Sequence, residues 1–128
     1  MSDVAALVFA LATAITAAFQ LALALGAPWG RYAMGGAYPG RFPPMLRAGA
    51  VVQAALLAAL AAVVLADAGL VFPDFAARYP GAVWLAVVVS VLAVGLNAIT
   101  RSRDEKRIWL PVTLVMLASS LVVALTDG

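Results

Sequence analysis

The side chains that most often carry out chemistry in proteins are either missing from this sequence or set apart from one another. Cysteine and histidine are absent from the 128 residues, which excludes disulfides, thiolate or imidazole metal ligands, and either residue as nucleophile or base. Apart from two adjacent acids that suit the first turn of a helix, no carboxylates are spaced for acid–base work. The sequence therefore predicts a protein that is not an enzyme and has no cofactor. The six carboxylates are Asp3, Asp67, Asp74, Asp104, Glu105 and Asp127.

The more informative polar residues are the few amides and hydroxyls inside long apolar runs. An unpaired polar group in hydrocarbon costs free energy and must find a partner. Where an apolar run holds more than one of these residues, they recur at helical spacing, so each helix is expected to carry one polar stripe facing its neighbours. The stripes are Thr13, Thr16 and Gln20; Gln53; Ser90 and Asn97; and Thr113 and Ser120.

The elements that must position these stripes are four apolar runs. Of all residues, 66% are hydrophobic and 11% charged, against about half and a quarter in soluble domains. The length of each run is close to the ~20 residues that a transmembrane helix needs. The first run has no basic segment before it and is too long for a secretory signal, so we expect a permanent helix. The sequence predicts an all-α, polytopic membrane protein. It would be one domain over 1–128, an antiparallel four-helix transmembrane bundle with helices near 4–25, 48–66, 81–99 and 103–125 and a long loop at 26–47.

Basic residues indicate the orientation of this bundle. The middle connection holds only Arg78, and the other seven of the eight basic residues lie in the first and third connections. The positive-inside rule makes those two connections cytoplasmic and places both termini outside. The abundance of alanine and the excess of arginine over lysine indicate a bacterial source, and so a bacterial plasma membrane. The bias in basic residues also weighs against a protein that inserts in both orientations. The seven residues are Arg31, Arg41, Arg47, Arg101, Arg103, Lys106 and Arg107.

The strongest polar groups gather toward the same end. Gln20, Gln53, Asn97 and Thr113 all lie within about 10 Å of the predicted cytoplasmic boundary, at about 1.5 Å per residue. One interpretation is a clamp of hydrogen bonds between helices. The other is the floor of a small cavity open to the cytoplasm. Its mouth would attract anions or acidic lipid headgroups through nearby arginines.

The first connection is unusual for a loop, because it is rich in glycine and proline and yet holds several aromatic residues. It suits neither a regular helix nor a solvated linker, and predicts a compact lid in the headgroup layer. Trp29 and Tyr32 in this loop and Trp109 near the last helix start are placed as interfacial anchors. Ser102 and Glu105 have the spacing of a capping box and predict a helix beginning near Arg103.

Two motifs in the basic connections are distinctive. The first is Gly26-Ala-Pro-Trp-Gly30, Gly35-Gly36, Pro39-Gly40, Pro43-Pro44 and Arg47, and the second is Asn97, Arg101-Ser102, Glu105 and Trp109-Leu-Pro111. With these motifs, the whole chain resembles a family of small bacterial four-helix integral membrane proteins of uncharacterised function. That resemblance implies a four-helix membrane protein, pairs the two basic connections, and implies no activity.

Two functions of different class follow from these patterns. The first is a non-catalytic membrane protein that binds a lipid or a membrane partner through its cytoplasmic face, with an anionic lipid headgroup or another membrane protein as partner. The alternative is an uncoupled transporter or channel for a small solute, including an anion, that acts as an oligomer. Polarity that fades toward the outer half favours binding. No nucleic acid is expected, and a homo-oligomer is left open. The candidate binding residues are Gln20, Trp29, Arg31, Tyr32, Arg41, Arg47, Gln53, Asn97, Arg101, Arg103 and Trp109.

Overall fold

A computed structural model of the chain describes residues 2–127, without the side chain of Asp127. The described residues contain helices and turns but no strand, which confirms the all-α fold class. Met1 and Gly128, the ends of the single domain predicted over 1–128, lie outside them. The helices are α1 Ser2–Ala24, α2 Pro44–Asp67, α3 Phe75–Arg78, α4 Val83–Ile99 and α5 Arg103–Asp127.

Three of these helices are long and apolar enough to cross a membrane: Ser2–Ala24, Pro44–Asp67 and Arg103–Thr126. The prediction of a membrane protein is confirmed to that extent. Helix α4 is also apolar but has 17 residues, which at 1.5 Å per residue gives about 25 Å. The short α3 lies in the connection between α2 and α4.

Helices α1 and α2 end at glycines that adopt a left-handed backbone conformation. Gly26 has a φ of 99°, and its N–H donates to the Leu23 carbonyl at 3.1 Å. The N–H of Ala27 donates to the Ala22 carbonyl at 2.9 Å. This pair of bonds is a Schellman motif, which satisfies the last carbonyls of α1 and redirects the chain. Helix α2 ends in the same way at Gly69, whose φ is 81°.

Helix α2 begins earlier than the sequence suggested. It starts at Pro44, with Pro43 as its N-cap, four residues before the start expected at 48. A proline in the first turn needs no hydrogen-bond acceptor for its missing N–H, so it fits there without loss. Arg47, expected to end the loop, lies in the first turn of α2. We use the name first loop for residues 25–43, which include two 3₁₀ turns, Gly30–Tyr32 and Met34–Gly36.

The helices pack unequally. Helix α1 packs against both α2 and α5, and α4 packs mainly against α5, so the seam between α2 and α4 is the loosest side of the bundle. The half of the bundle away from the first loop holds the main core, in which alanines allow the helix backbones to approach closely. This core consists of Ala6, Phe9, Ala12, Leu57, Leu60, Val64, Val83, Ala86, Val87, Met116, Val123 and Ala124.

Buried hydroxyls in this core bond to their own helices. Thr13 donates to the Phe9 carbonyl at 3.0 Å, and Ser90 donates to the Ala86 carbonyl at 2.7 Å. Ser120 follows the same pattern, with the Leu117 carbonyl as its acceptor. These bonds satisfy polar groups in an apolar core without joining one helix to another.

Candidate functional site

The first loop is hydrogen-bonded to the first residues of α5 and to Ser102 just before them. The Ser102 hydroxyl donates to the Arg31 carbonyl at 2.8 Å, and the Trp109 indole N–H donates to the Tyr32 carbonyl at 2.9 Å. The Trp109 ring also packs on Phe19 of α1, with 4.7 Å between ring centroids. The first and third connections therefore meet at one end of the bundle, which we call the basic end because seven of the eight basic residues lie in or beside them.

Glu105 departs from the capping box that the sequence suggested. The first half of the box is present, because the Glu105 N–H donates to the Ser102 hydroxyl at 3.1 Å, and α5 begins at Arg103. The carboxylate does not return to Ser102. Its Oε2 instead accepts the N–H of Gly35 in the first loop at 3.2 Å. Glu105 therefore joins the loop to α5 from a buried position.

The first loop is also held by its own backbone. The N–H of Gly30 donates to the Gly40 carbonyl at 3.0 Å, and the N–H of Arg31 donates to the Pro39 carbonyl at 3.2 Å. A Cβ at position 30 would lie 1.7 Å from the Tyr38 carbonyl oxygen. Because that neighbour is backbone, only glycine fits, and the loop has a compact and specific shape.

Two of the arginines predicted for the mouth have partners within the chain. Arg47 donates from Nε to the Ala24 carbonyl at 2.7 Å, where a cation also complements the dipole of α1. Arg31 forms an ion pair with Asp104 at 3.9 Å, and both side chains are more than half exposed, so the pair adds little stability. The hydrogen bond from Arg31 to the Tyr32 hydroxyl raises the pKa of that guanidinium above its ordinary value.

Beneath the first loop lies a cavity of about 720 Å³. All four long helices and the loop contribute to its wall, and it reaches inward to Leu57 and Met116 at the edge of the main core. We refer to it as the cavity. It brings together the three amides that the sequence placed at one depth, and it adds two charged side chains and the rings of Tyr32 and Trp109 from the basic end. These residues are Gln20, Gln53, Asn97, Arg101, Glu105, Tyr32 and Trp109.

The amides of the cavity differ in their partners. Asn97 donates from Nδ2 to the Ala93 carbonyl of its own helix at 2.8 Å. The side chains of Gln20 and Gln53 make no hydrogen bond to any other residue in the range 2–127. Gln20 is half-buried and Gln53 is exposed. Both amides are therefore available to a ligand as donors and as acceptors.

The cavity opens along the seam between α2 and α4. Each of these two helices contributes residues that line the cavity and are also exposed: Gly49 and Gln53 on α2, and Leu96 and Ile99 on α4. Leu96 and Ile99 are 65% and 78% exposed. The opening therefore extends along the side of the bundle, where the edge that α4 contributes is apolar. Met34, Gly35 and Arg101 are further exposed wall residues, at the basic end.

Five predicted site residues do not line the cavity: Trp29, Arg31, Arg41, Arg47 and Arg103. Trp29, Arg41 and Arg103 are exposed at the basic end, while Arg31 and Arg47 bond to Asp104 and to the Ala24 carbonyl. The sequence reasoning missed Glu105 as a wall of the cavity, where it is only 8% exposed. Its spacing was the available signal, because Glu105, Trp109 and Thr113 recur every four residues and share one face of α5.

Comparison of the chain with family models, with curated proteins and with solved structures finds no match in any of the three. The family resemblance noted from the sequence stays a prediction.

Proposed function

We propose that this chain is a multi-pass protein of the bacterial plasma membrane, with four antiparallel transmembrane helices and both termini outside. In this proposal the cavity at the cytoplasmic end binds a membrane lipid without catalysis. Three candidate spans support the membrane assignment. The apolar α4 would be the fourth span, because a helix of about 25 Å crosses with slight local thinning of the bilayer. The basic residues of the first and third connections support the orientation.

The position and chemistry of the opening carry the lipid-binding proposal. Its exposed apolar edge, Leu96 and Ile99 of α4, would face acyl chains in a bilayer. Inside the opening are the amides, and the basic end of the cavity holds Arg101 and Glu105. A ligand that fits both regions has an apolar tail and a polar head, which describes a membrane lipid better than a water-soluble solute.

The transporter alternative has less support. A path for a solute needs polar groups across the whole span, and the cavity ends at Leu57 and Met116. Beyond that level the main core is apolar, and the buried hydroxyls of Thr13, Ser90 and Ser120 bond to their own helices. The one carboxylate buried there among the described residues, Asp67, lies at the far end of α2. Binding at one end of the bundle is therefore favoured over passage through it.

Lipid retention tests this proposal. The protein is purified in mild detergent and its retained lipids are counted by native mass spectrometry. We expect about one lipid per chain, and about a hundredfold less when Gln20, Gln53 and Asn97 are all replaced by Leu, since three hydrogen bonds of about 1 kcal/mol each are lost. The control carries three Ala substitutions at Ser90, Ser119 and Ser120, which lie away from the cavity. Equal retention by both variants would contradict the proposal, and Arg101-dependent solute flux in liposomes would favour the transporter.

A further inference from the structure

Two opposite charges line the cavity without pairing with each other. Arg101 and Glu105 are both wall residues, yet the ion pair in the part of the chain that the structure describes joins Arg31 to Asp104. Among the described residues, the Arg101 side chain has no hydrogen-bond or ion-pair partner, and the Glu105 carboxylate has one partner, an uncharged backbone N–H. A positive and a negative group therefore face one cavity and are both available to a ligand.

The Glu105 carboxylate is buried, whereas the Arg101 guanidinium is exposed, so an unpaired charge is more costly on Glu105. Glu105 is only 8% exposed, and its one side-chain hydrogen bond comes from the N–H of Gly35. A carboxylate can accept about four hydrogen bonds, and a buried charge is costly unless it is paired. The rings of Tyr32 and Trp109 line the same cavity, and aromatic rings favour ammonium groups. The part of the cavity around Glu105 thus suits a cation.

The arginine suits a phosphate. Arg101 is exposed at the edge of the cavity beside Thr100, and guanidinium groups bind phosphate through paired charge-assisted hydrogen bonds. The other arginines that the sequence placed at the mouth do not line the cavity: Arg31, Arg41, Arg47 and Arg103. One cation and one anion therefore define the charge of the cavity.

We propose that the cavity selects a lipid with a zwitterionic headgroup, whose phosphate binds Arg101 and whose primary ammonium binds Glu105. The acyl chains leave through the seam between α2 and α4 along Leu96. This inference rests on the proposed lipid-binding function and replaces the anionic lipid that the sequence alone suggested. An anionic headgroup would satisfy Arg101 but would leave the charge of Glu105 unpaired.

Competition between two lipids tests the selection. The purified protein is equilibrated with mixed micelles holding equal amounts of dioleoyl phosphatidylethanolamine and dioleoyl phosphatidylglycerol, and bound lipids are counted by native mass spectrometry. We expect a preference of about tenfold for phosphatidylethanolamine, the size of one charge-assisted hydrogen bond. Glu105→Gln should abolish the preference, because glutamine still accepts the Gly35 N–H but has no charge. Arg101→Gln should reduce retention of both lipids about tenfold.

Matched controls separate this effect from the general charge of the basic end. Asp104→Asn and Arg107→Gln remove the same charges from exposed positions of α5 that do not line the cavity, and both should keep the preference. Preference for phosphatidylglycerol by the unmodified protein, or equal loss in Glu105→Gln and Asp104→Asn, would overturn the inference. Retention of lipid without any headgroup preference would overturn it and leave the proposed function standing. Retention of neither lipid would contradict both.

Discussion

Gly30 shows how closely the first loop is constrained by its own backbone. A Cβ there would meet the Tyr38 carbonyl oxygen at 1.7 Å and the Gly40 carbonyl oxygen at 2.6 Å, and neither backbone atom can move without opening the loop. We expect Gly30→Ala to lower the free energy of unfolding by roughly 1–3 kcal/mol, as overpacking does, and to speed hydrogen exchange across residues 30–36.

The matched control for this substitution is Gly40→Ala. Position 40 has no atom within 4 Å of an added Cβ, and its φ is not in the left-handed region. Its unfolding and exchange should stay close to those of the unmodified protein. If both variants exchange at the same rate, the close approach at Gly30 is not what shapes the loop.

Trp109 connects the loop, α5 and α1 through different parts of one side chain. Trp109→Phe keeps a ring to pack on Phe19 and removes the N–H that the Tyr32 carbonyl accepts. We expect stability to fall by about 1 kcal/mol, the usual net value of such a bond, measured by thermal unfolding in detergent. Trp84→Phe, at a side chain that is 40% exposed, should change stability by much less. Equal losses would show that ring size, and not the hydrogen bond, matters.

The sequence predicts the position of a single side chain only where that residue type has one possible role. Gln20, Gln53 and Asn97 could be placed at one depth by counting along helices, and the structure brings all three to the cavity. Glu105 could serve either the cap or the loop, and the choice depends on Gly35, which is 70 residues away along the chain. Arg47 is likewise predicted to be a charged loop residue, because its bond to the Ala24 carbonyl depends on how α1 and α2 pack.

Arg47 also determines how two helices meet. Its side chain extends from the first turn of α2 to the last turn of α1, where it bonds the Ala24 carbonyl. We expect Arg47→Gln to lower stability by about 1.5 kcal/mol, because a charge-assisted hydrogen bond and a favourable dipole interaction are both lost. The measurement is reversible unfolding by sodium dodecyl sulfate. Arg41→Gln removes the same charge from an exposed loop position and should have no measurable effect; a similar loss there would argue that charge alone stabilises the basic end.

Helices were easier to predict than their junctions. The four apolar runs correspond to α1, α2, α4 and α5, since a long apolar run has few other stable forms. The start of α2 at Pro44 and the four-residue α3 were not foreseen. Proline is ambiguous between a loop and a first helical turn, and four residues are too few to show a helical period. The loose seam between α2 and α4 depends on how all the helices pack, which periodicity within one helix does not report.

For the whole molecule, the first question is which end faces the cytoplasm. The absence of cysteine makes single-cysteine labelling straightforward, and Arg41→Cys and Asp74→Cys place exposed thiols in the first connection and in the connection between α2 and α4. In intact cells a membrane-impermeant maleimide should label Asp74→Cys, and should label Arg41→Cys only after permeabilisation. The reverse pattern would contradict the orientation and place the cavity at the outer surface.

The most direct test of the central claim asks whether a lipid enters the cavity. Trp109 is 8% exposed and lines the cavity, so in a variant carrying Trp29→Phe and Trp84→Phe its fluorescence reports on that space alone. The protein is reconstituted with phosphatidylethanolamine brominated near the headgroup end of its acyl chains. Two further variants are made in this background. Gly49→Phe blocks the opening, and Gly95→Phe adds the same bulk outside the cavity. Both glycines have free space around them, but only Gly49 lines the cavity. The account predicts strong quenching with Gly95→Phe and weak quenching with Gly49→Phe, and equal quenching in the two would contradict it.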